Sequence, residues 1–207
     1  MAAGVFVVFE GGEGAGKSTQ AALLVSRLRA MGQQVVATRE PGGTQLAEDI
    51  RALLLRASAE PMSGRCEALL FAAARADHVE RVIRPALAAG QVVVCDRFVD
   101  SSVAYQGDAR GLPRVEIADL SEWATDSLMP DLTVLLDVSP AAGVARAQDR
   151  NRMESESLEF HLAVRAGLLR SAEEAPHRYL VLDAAGAVED LARKVAARVE
   201  ELLADRP

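Results

Sequence analysis

Gly11, Gly16, Lys17 and Ser18 stand in the spacing G-x-x-x-x-G-K-S/T within residues 9–20, "FEGGEGAGKSTQ". Residue types in that order suit a polyphosphate. Glycines let successive backbone N–H groups turn inward, and a following helix N-terminus adds partial positive charge. Lys17 then reaches the β- and γ-phosphates of a nucleoside triphosphate, and Ser18 offers a hydroxyl to Mg²⁺. The run Gly11, Gly12, Glu13, Gly14, Ala15, Gly16, Lys17, Ser18, Thr19 is therefore the expected ATP-binding loop. One member is out of place. Glu13 puts a carboxylate in the middle of a cradle for anions.

A phosphate loop of this kind needs a second carboxylate near the metal, at the end of a neighbouring strand. "QVVVCD" supplies Asp96 there, and Arg97 follows it at the strand edge where α/β ligands bind. Arg39, after another predicted strand, and Arg75, on a long helix, fall at comparable places. Several guanidinium groups beside a phosphate loop point to a second phosphate held in bidentate fashion. Phosphoryl transfer between two phosphorylated molecules fits that better than hydrolysis. Phe71 and Arg75 are spaced i, i+4 and share one helix face. Ser101 with Tyr105, and Ser102 with Gln106, have the same spacing and form two adjacent polar lines on a short helix. A ring, a guanidinium and such polar groups can stack on a base and hydrogen-bond it.

The elements that position these groups alternate. "VFVVFE", "QVVATRE", "QVVVCD", "DLTVLLDV" and "RYLVLDA" read as buried strands, separated by helical patterns. Thr44 caps the helix that runs to Leu55, and a long amphipathic stretch at 65–89 is ended by Gly90. The expected fold class is α/β, a three-layer phosphate-loop NTPase fold with a five-stranded parallel sheet flanked by helices. No linker or repeat divides residues 1–207, so one domain is expected, with a short charged lid at 148–157.

Composition narrows the partners. The formal charge of −7 and the lack of a long basic run argue against a nucleic-acid partner. Cys66 and Cys95 lie far apart without a CxxC partner; Cys95 reads as a buried thiol and Cys66 as a helix opener, which fits a reducing, cytoplasmic compartment. No apolar stretch has the length to span a bilayer, so no membrane role is expected. His78 reads as a surface residue, and Trp123 and Phe160 as packing residues.

"FEGGEGAGKSTQ", "TREPGGTQLAEDIR", "LLFAAARADHV", "CDRFVDSSVAYQG" and "PDLTVLLDV" resemble, in order, the motif series of bacterial thymidylate kinases. The resemblance implies transfer of a phosphoryl group from ATP to dTMP with Mg²⁺. It implies that Phe71 stacks on thymine, Arg75 hydrogen-bonds the base, and Arg97 holds the dTMP phosphate with Arg39 nearby. Pro41, Ser101, Ser102, Tyr105 and Gln106 would line the nucleoside pocket, with Tyr105 crowding the sugar C2′ position. Lys17 and Ser18 keep their ATP and Mg²⁺ roles, and Asp96 acts near the metal. Glu13 would accept a hydrogen bond from the sugar 3′-hydroxyl, so its charge reads the acceptor and not the triphosphate.

Some members of that family carry an arginine at the place of Gly14; those without one resemble the type that supplies it from a lid. Arg146, Arg150 and Arg152 are available here, with Arg152 expected first and Arg150 second at the γ-phosphate and Arg146 on the ATP side. The segment is a few residues shorter than the family pattern between the last two lid arginines. Family members are typically homodimers, and the Ala-rich long helix permits that. The rival readings are another phosphate-loop kinase for a deoxynucleoside or a different monophosphate, and a partner-regulated ATPase. A GTPase switch is disfavoured because Asn151 is the only asparagine and no N-K-x-D pattern exists.

Overall fold

The structure, a computed structural model, describes residues 4–56, 60–146 and 152–204. Among these residues five parallel strands form one sheet in the order β2-β3-β1-β4-β5. They are β1 (Val5–Gly11), β2 (Val35–Arg39), β3 (Val92–Asp96), β4 (Leu132–Asp137) and β5 (Tyr179–Asp183). Every residue of β1 is buried, as its near-continuous apolar run requires of a central strand covered on both faces. Side chains alternate across it. Val5, Val7 and Phe9 join one core with Leu24 and Leu28 of α1 (Lys17–Ala30) and Val195 and Val199 of α9 (Val188–Ala204). Phe6 and Val8 face the other layer, with Val93, Cys95 and Phe98.

The register brings the chemistry to one edge. Phe9 pairs with Asp96, and Gly11 with Leu136, so the loop after β1, the turn after β3 and the end of β4 open side by side. Thr44 caps α2 (Gln45–Leu55), its hydroxyl accepting from the Ala47 N–H at 3.1 Å. The stretch expected as one long helix is α3 (Gly64–His78), a π turn at Val79–Ile83 and α4 (Arg84–Ala88), closed by Gly90 at φ 75°. Ser63 caps α3 through the Cys66 N–H, which makes Cys66 an exposed first-turn residue, while Cys95 is buried.

After β3 the chain forms the short α5 (Val99–Ser102) and a second π turn at Val103–Ala109, followed by α6 (Arg114–Thr125). The π winding corrects the expectation of two adjacent polar lines. Its wider i→i+5 bonding, seen in Arg110 N–H to Tyr105 O at 2.9 Å, sends Tyr105 and Gln106 to different partners. The turn lies against α8 (Leu158–Glu174), which follows α7 (Pro140–Arg146). Gly167 of α8 permits the approach, because a Cβ there would stand 2.3 Å from Asp108 Oδ2 and 3.2 Å from Ala104 Cα.

Two expectations about single residues are overturned. His78 is wholly buried, with Nδ1 3.1 Å from Glu40 Oε1 and Nε2 2.7 Å from Thr38 Oγ1. Trp123, expected to pack, is 80% exposed on α6. Phe160 is buried and meets the Tyr105 ring edge-on at 5.9 Å.

Candidate active site

The loop closes through its glycines. Gly16 enters α1 in the left-handed region at φ 88° and provides no side-chain cap, and the first turn of α1 holds no acidic residue. Its first N–H groups are left for an anion. Gly14, at φ 64°, lies against α7, and a Cβ on it would stand 2.1 Å from Gly143 O. An arginine at that position has no room in this chain. Lys17 is buried and donates from Nζ to Gly11 O at 3.1 Å and Gly12 O at 2.8 Å. Burial, and then the neighbouring Arg97 charge, push it below the ordinary lysine range.

Of the cavities on this edge, two meet at the loop. The larger, about 600 Å³, is walled by Glu13 to Thr19 of the loop together with Arg39, Asp96 and Arg146. The smaller, about 110 Å³, is lined by Pro41, Leu55, Phe71, Arg75, Phe98, Ser101, Ser102, Tyr105, Gln106 and Met153. Glu13, Glu40, Arg51, Arg97 and Glu154 belong to both walls. The cavities therefore abut at Glu13 and Arg97.

That junction is held under strain. Arg97 sits at φ 73°, a region costly for a side chain with a Cβ, and its N–H donates to Phe9 O at 2.9 Å. The turn aims its guanidinium back over the loop. Nη2 donates to Glu13 Oε1 at 2.7 Å, and Nη1 to Gly11 O at 3.2 Å and Ser101 Oγ at 3.1 Å. Tyr105 places its hydroxyl 2.8 Å from the same Glu13 Oε1, with its ring 5.1 Å from the Arg97 guanidinium. Both bonds end on Oε1, so Oε2 is left for a substrate group. Burial by itself would raise the Glu13 carboxyl, but Arg97, Lys17 and the Tyr105 hydroxyl outweigh it and hold the group down to about 2. Glu13 is thus ionised and paired sideways with Arg97.

The small cavity has a fixed charge of its own. Arg75 is 2% exposed; Nε donates to Glu40 Oε2 at 2.7 Å, and Nη2 to Phe98 O at 3.1 Å and Ser102 Oγ at 3.0 Å. Nη1 has no partner among the described residues. Phe71 and Pro41 line the same cavity. Gln106 lines it too, but its amide is committed to Glu67 Oε1 at 2.8 Å. Ser18 Oγ donates to Asp96 Oδ2 at 2.7 Å, so a hydroxyl and a carboxylate converge at the loop.

Several expected placements differ. Arg39 stands exposed beside the loop cavity, paired with Glu48 at 3.1 Å, and does not line the small cavity. Arg152 is held away from the loop by Glu67 and the Leu54 carbonyl. Arg150 lies outside the described residues. Arg146 does line the loop cavity.

Sequence reasoning missed the carboxylates behind the site. Glu40 anchors both Arg75 and His78, and Arg51 bonds the Pro41 carbonyl at 2.9 Å. Glu10, the last side chain of the apolar β1 run, accepts from Phe98 N–H at 2.8 Å, Ser101 N–H at 3.1 Å and Ser101 Oγ at 2.6 Å. A charge ending a wholly buried strand was the available signal. Burial, and next the buried Asp100 carboxylate, push Glu10 up to about 7 against the opposing pull of Arg97 and its hydrogen bonds.

The chain is similar over nearly its whole length to proteins of one family. A family model described as thymidylate kinase matches residues 9–195. A thymidylate kinase of Cutibacterium acnes is 49% identical over 200 residues, covering 97% of this chain and 98% of that protein. One from a Synechococcus species is 50% identical over 199 residues, covering 96% of each. The crystal structure of thymidylate kinase from Ehrlichia chaffeensis superposes with a TM-score of 0.76 at 34% identity, covering 97% of this chain and 99% of that one.

A prediction follows from Glu10. The folded protein keeps that proton to higher pH than the unfolded chain does. The resulting stability is full below the ordinary carboxylate value and is lost as pH rises through about 7. In Glu10→Gln the amide oxygen can still accept from both N–H groups while its NH₂ donates to Ser101 Oγ. Urea unfolding across pH 5 to 8 should show that the variant lacks a loss of roughly 2 kcal/mol seen in the parent. An identical slope in both would refute the assignment.

Proposed function

The chain belongs to the thymidylate kinase family, and on that premise we propose that it transfers the γ-phosphoryl group of ATP to dTMP, giving ADP and dTDP. The observation that carries the reading is the pair of cavities meeting at Glu13 and Arg97. A triphosphate held by the loop and a monophosphate held from the other side would meet there end to end. Such transfer needs no strong base, since the acceptor oxygens are already anionic. Catalysis then rests on positioning and charge compensation.

The family resemblance and the geometry together support the following roles. The loop N–H groups and Lys17 hold the donor phosphates; Lys17 exchanges its carbonyl partners for phosphate oxygens. Arg97 grips the acceptor phosphate at the junction. Phe71 offers a face to the base, and the unpartnered Nη1 of Arg75 a donor to a base carbonyl. Tyr105, clamped by Glu13 and packed on Phe160, forms a rigid wall beside the sugar. Glu13 Oε2 accepts from the sugar hydroxyl, which is why an acid is compatible with this loop: it is turned to the acceptor and its charge is balanced by Arg97. Excluding water from both cavities favours transfer over hydrolysis. Arg146, which lines the loop cavity, is a cation offered for stabilising the transferring group.

Ser18 and Asp96 supply a hydroxyl and a carboxylate oxygen of the kind Mg²⁺ takes alongside phosphate oxygens and water. When bound, the ion would neutralise charge on the donor phosphates. Among the described residues no group of three or more His, Cys, Asp or Glu could hold a metal without such added ligands.

Two further readings belong to this proposal. The free, exposed thiol of Cys66 suits a reducing cytoplasm; cell fractionation would place it. A homodimer is supported by Leu69 of α3 and by Val115 and Trp123 of α6, which are 59%, 70% and 80% exposed on helices that pack together. Sedimentation should give a dimer that Trp123→Glu dissociates; a monomeric parent protein would refute it.

The functional reading is tested by ADP release with dTMP, dUMP, dCMP, AMP and thymidine as acceptors. Turnover should be fastest with dTMP, and preference for another acceptor would reject it. Glu13→Ala should lower kcat/KM for dTMP by about a hundredfold and change KM for ATP by no more than about twofold. Equal losses for both substrates would reject the role given to Glu13.

A further inference from the structure

The described residues of the charged stretch are fastened to three elements. The Arg152 N–H donates to Leu55 O at 3.4 Å, and its Nε to Leu54 O at 2.8 Å, both at the end of α2. Its Nη1 reaches Glu67 Oε2 at 2.7 Å, in the first turn of α3. Glu67 is 0% exposed and also accepts from Gln106 Nε2 at 2.8 Å and from Arg110 Nε and Nη2 at 3.2 Å each. Arg110, which caps the end of the second π turn, pairs in addition with Glu156 at 2.5 Å and lies 4.5 Å from the Phe160 ring. Arg152, Glu67, Arg110 and Glu156 therefore alternate in sign along one chain of charge.

A carboxylate this deeply buried persists only where its oxygens are satisfied. Burial alone would raise Glu67, yet the Arg110, Gln106 and Arg152 bonds bring it below the ordinary carboxylate range. Arg152 in turn has Nε and Nη1 committed to two different acceptors, a two-point hold that a lysine cannot reproduce. Neither Arg152 nor Glu67 is among the residues that wall the loop cavity. The residues just after Arg152, Met153 and Glu154, do line the small cavity beside Leu55 and Gln106.

From these contacts we infer that Arg152 is a positioning residue that acts through Glu67. It latches residues 152–156 onto α2 and α3 so that Met153, which lines the small cavity and not the loop cavity, completes the acceptor site, and it does not touch the transferring phosphoryl group. The inference rests on the reading of the small cavity as the dTMP site. It also reassigns the arginine that the sequence pattern sets first at the γ-phosphate.

Steady-state kinetics on the full chain, with dTMP and ATP varied separately, test it in Arg152→Lys, Glu67→Gln and the double variant. Each single variant should raise KM for dTMP about tenfold, with kcat and KM for ATP within about twofold of the parent. The double variant should be no worse than the poorer single one, because the Arg152–Glu67 contact that positions residues 152–156 is already lost in either. A fall in kcat of about a hundredfold in Arg152→Lys with KM for dTMP unchanged would overturn the inference, as would additive losses. Thermal melts identify a variant that fails to fold. Glu156→Gln, at the partly exposed end of the chain of charge, then carries the test: a rise in KM for dTMP alone supports the latch, and an unchanged KM overturns it. Turnover of dTMP by the parent protein decides the functional reading separately, so either can fail alone.

Discussion

The ion pair between Glu13 and Arg97 is the constraint on which the site depends. It joins the phosphate loop after β1 to the turn after β3, two segments brought level by the pairing of Phe9 with Asp96. Arg97 reaches it only by taking a left-handed backbone, a strain that the N–H bond to Phe9 O and three side-chain bonds hold in place. The pair stands in both cavity walls, at the point where they meet. The acid in the loop is balanced there by the guanidinium of Arg97.

Behind that pair stands a set of buried acids, each used to aim something else. Glu10 fixes the backbone of Phe98 and Ser101, and so the turn that carries Arg97. Glu40 orients Arg75 and His78, and Glu67 gathers Gln106, Arg110 and Arg152. Ion pairs of this kind are a weak source of stability, since desolvation cancels much of their attraction. Their effect here is geometric. Each holds a long side chain in one rotamer at a cavity wall, which is the preorganisation that transfer by charge compensation requires.

The two π turns serve the same end. The turn at Val103–Ala109 divides Tyr105, which goes to Glu13, from Gln106, which goes to Glu67. An α-helix over the same residues would have set these groups beside Ser101 and Ser102 on neighbouring lines. The close crossing with α8 at Gly167 lets the wider turn fit, and so ties the sugar-side wall to the helix that follows the charged stretch.

The five parallel strands, the phosphate loop and the Thr44 cap of α2 were all legible from local pattern. These depend on short-range sterics and on alternation between apolar and polar positions, and both are written in neighbouring residues. Lys17, Ser18, Asp96 and Arg97 are marked by type and spacing, whereas Glu13, Phe71, Arg75 and Tyr105 are named through the family resemblance. What tertiary structure alone decided is where each long side chain ends. His78 is buried because Glu40 and Thr38 lie on either side of it, and Trp123 is exposed because nothing in the described chain covers α6 there. Arg152 is turned to Glu67 because a buried carboxylate eighty-five positions earlier in the chain needs its charge. Charge partners so distant in sequence leave no periodic trace, so only the folded chain shows which arginine serves the phosphate and which serves the wall.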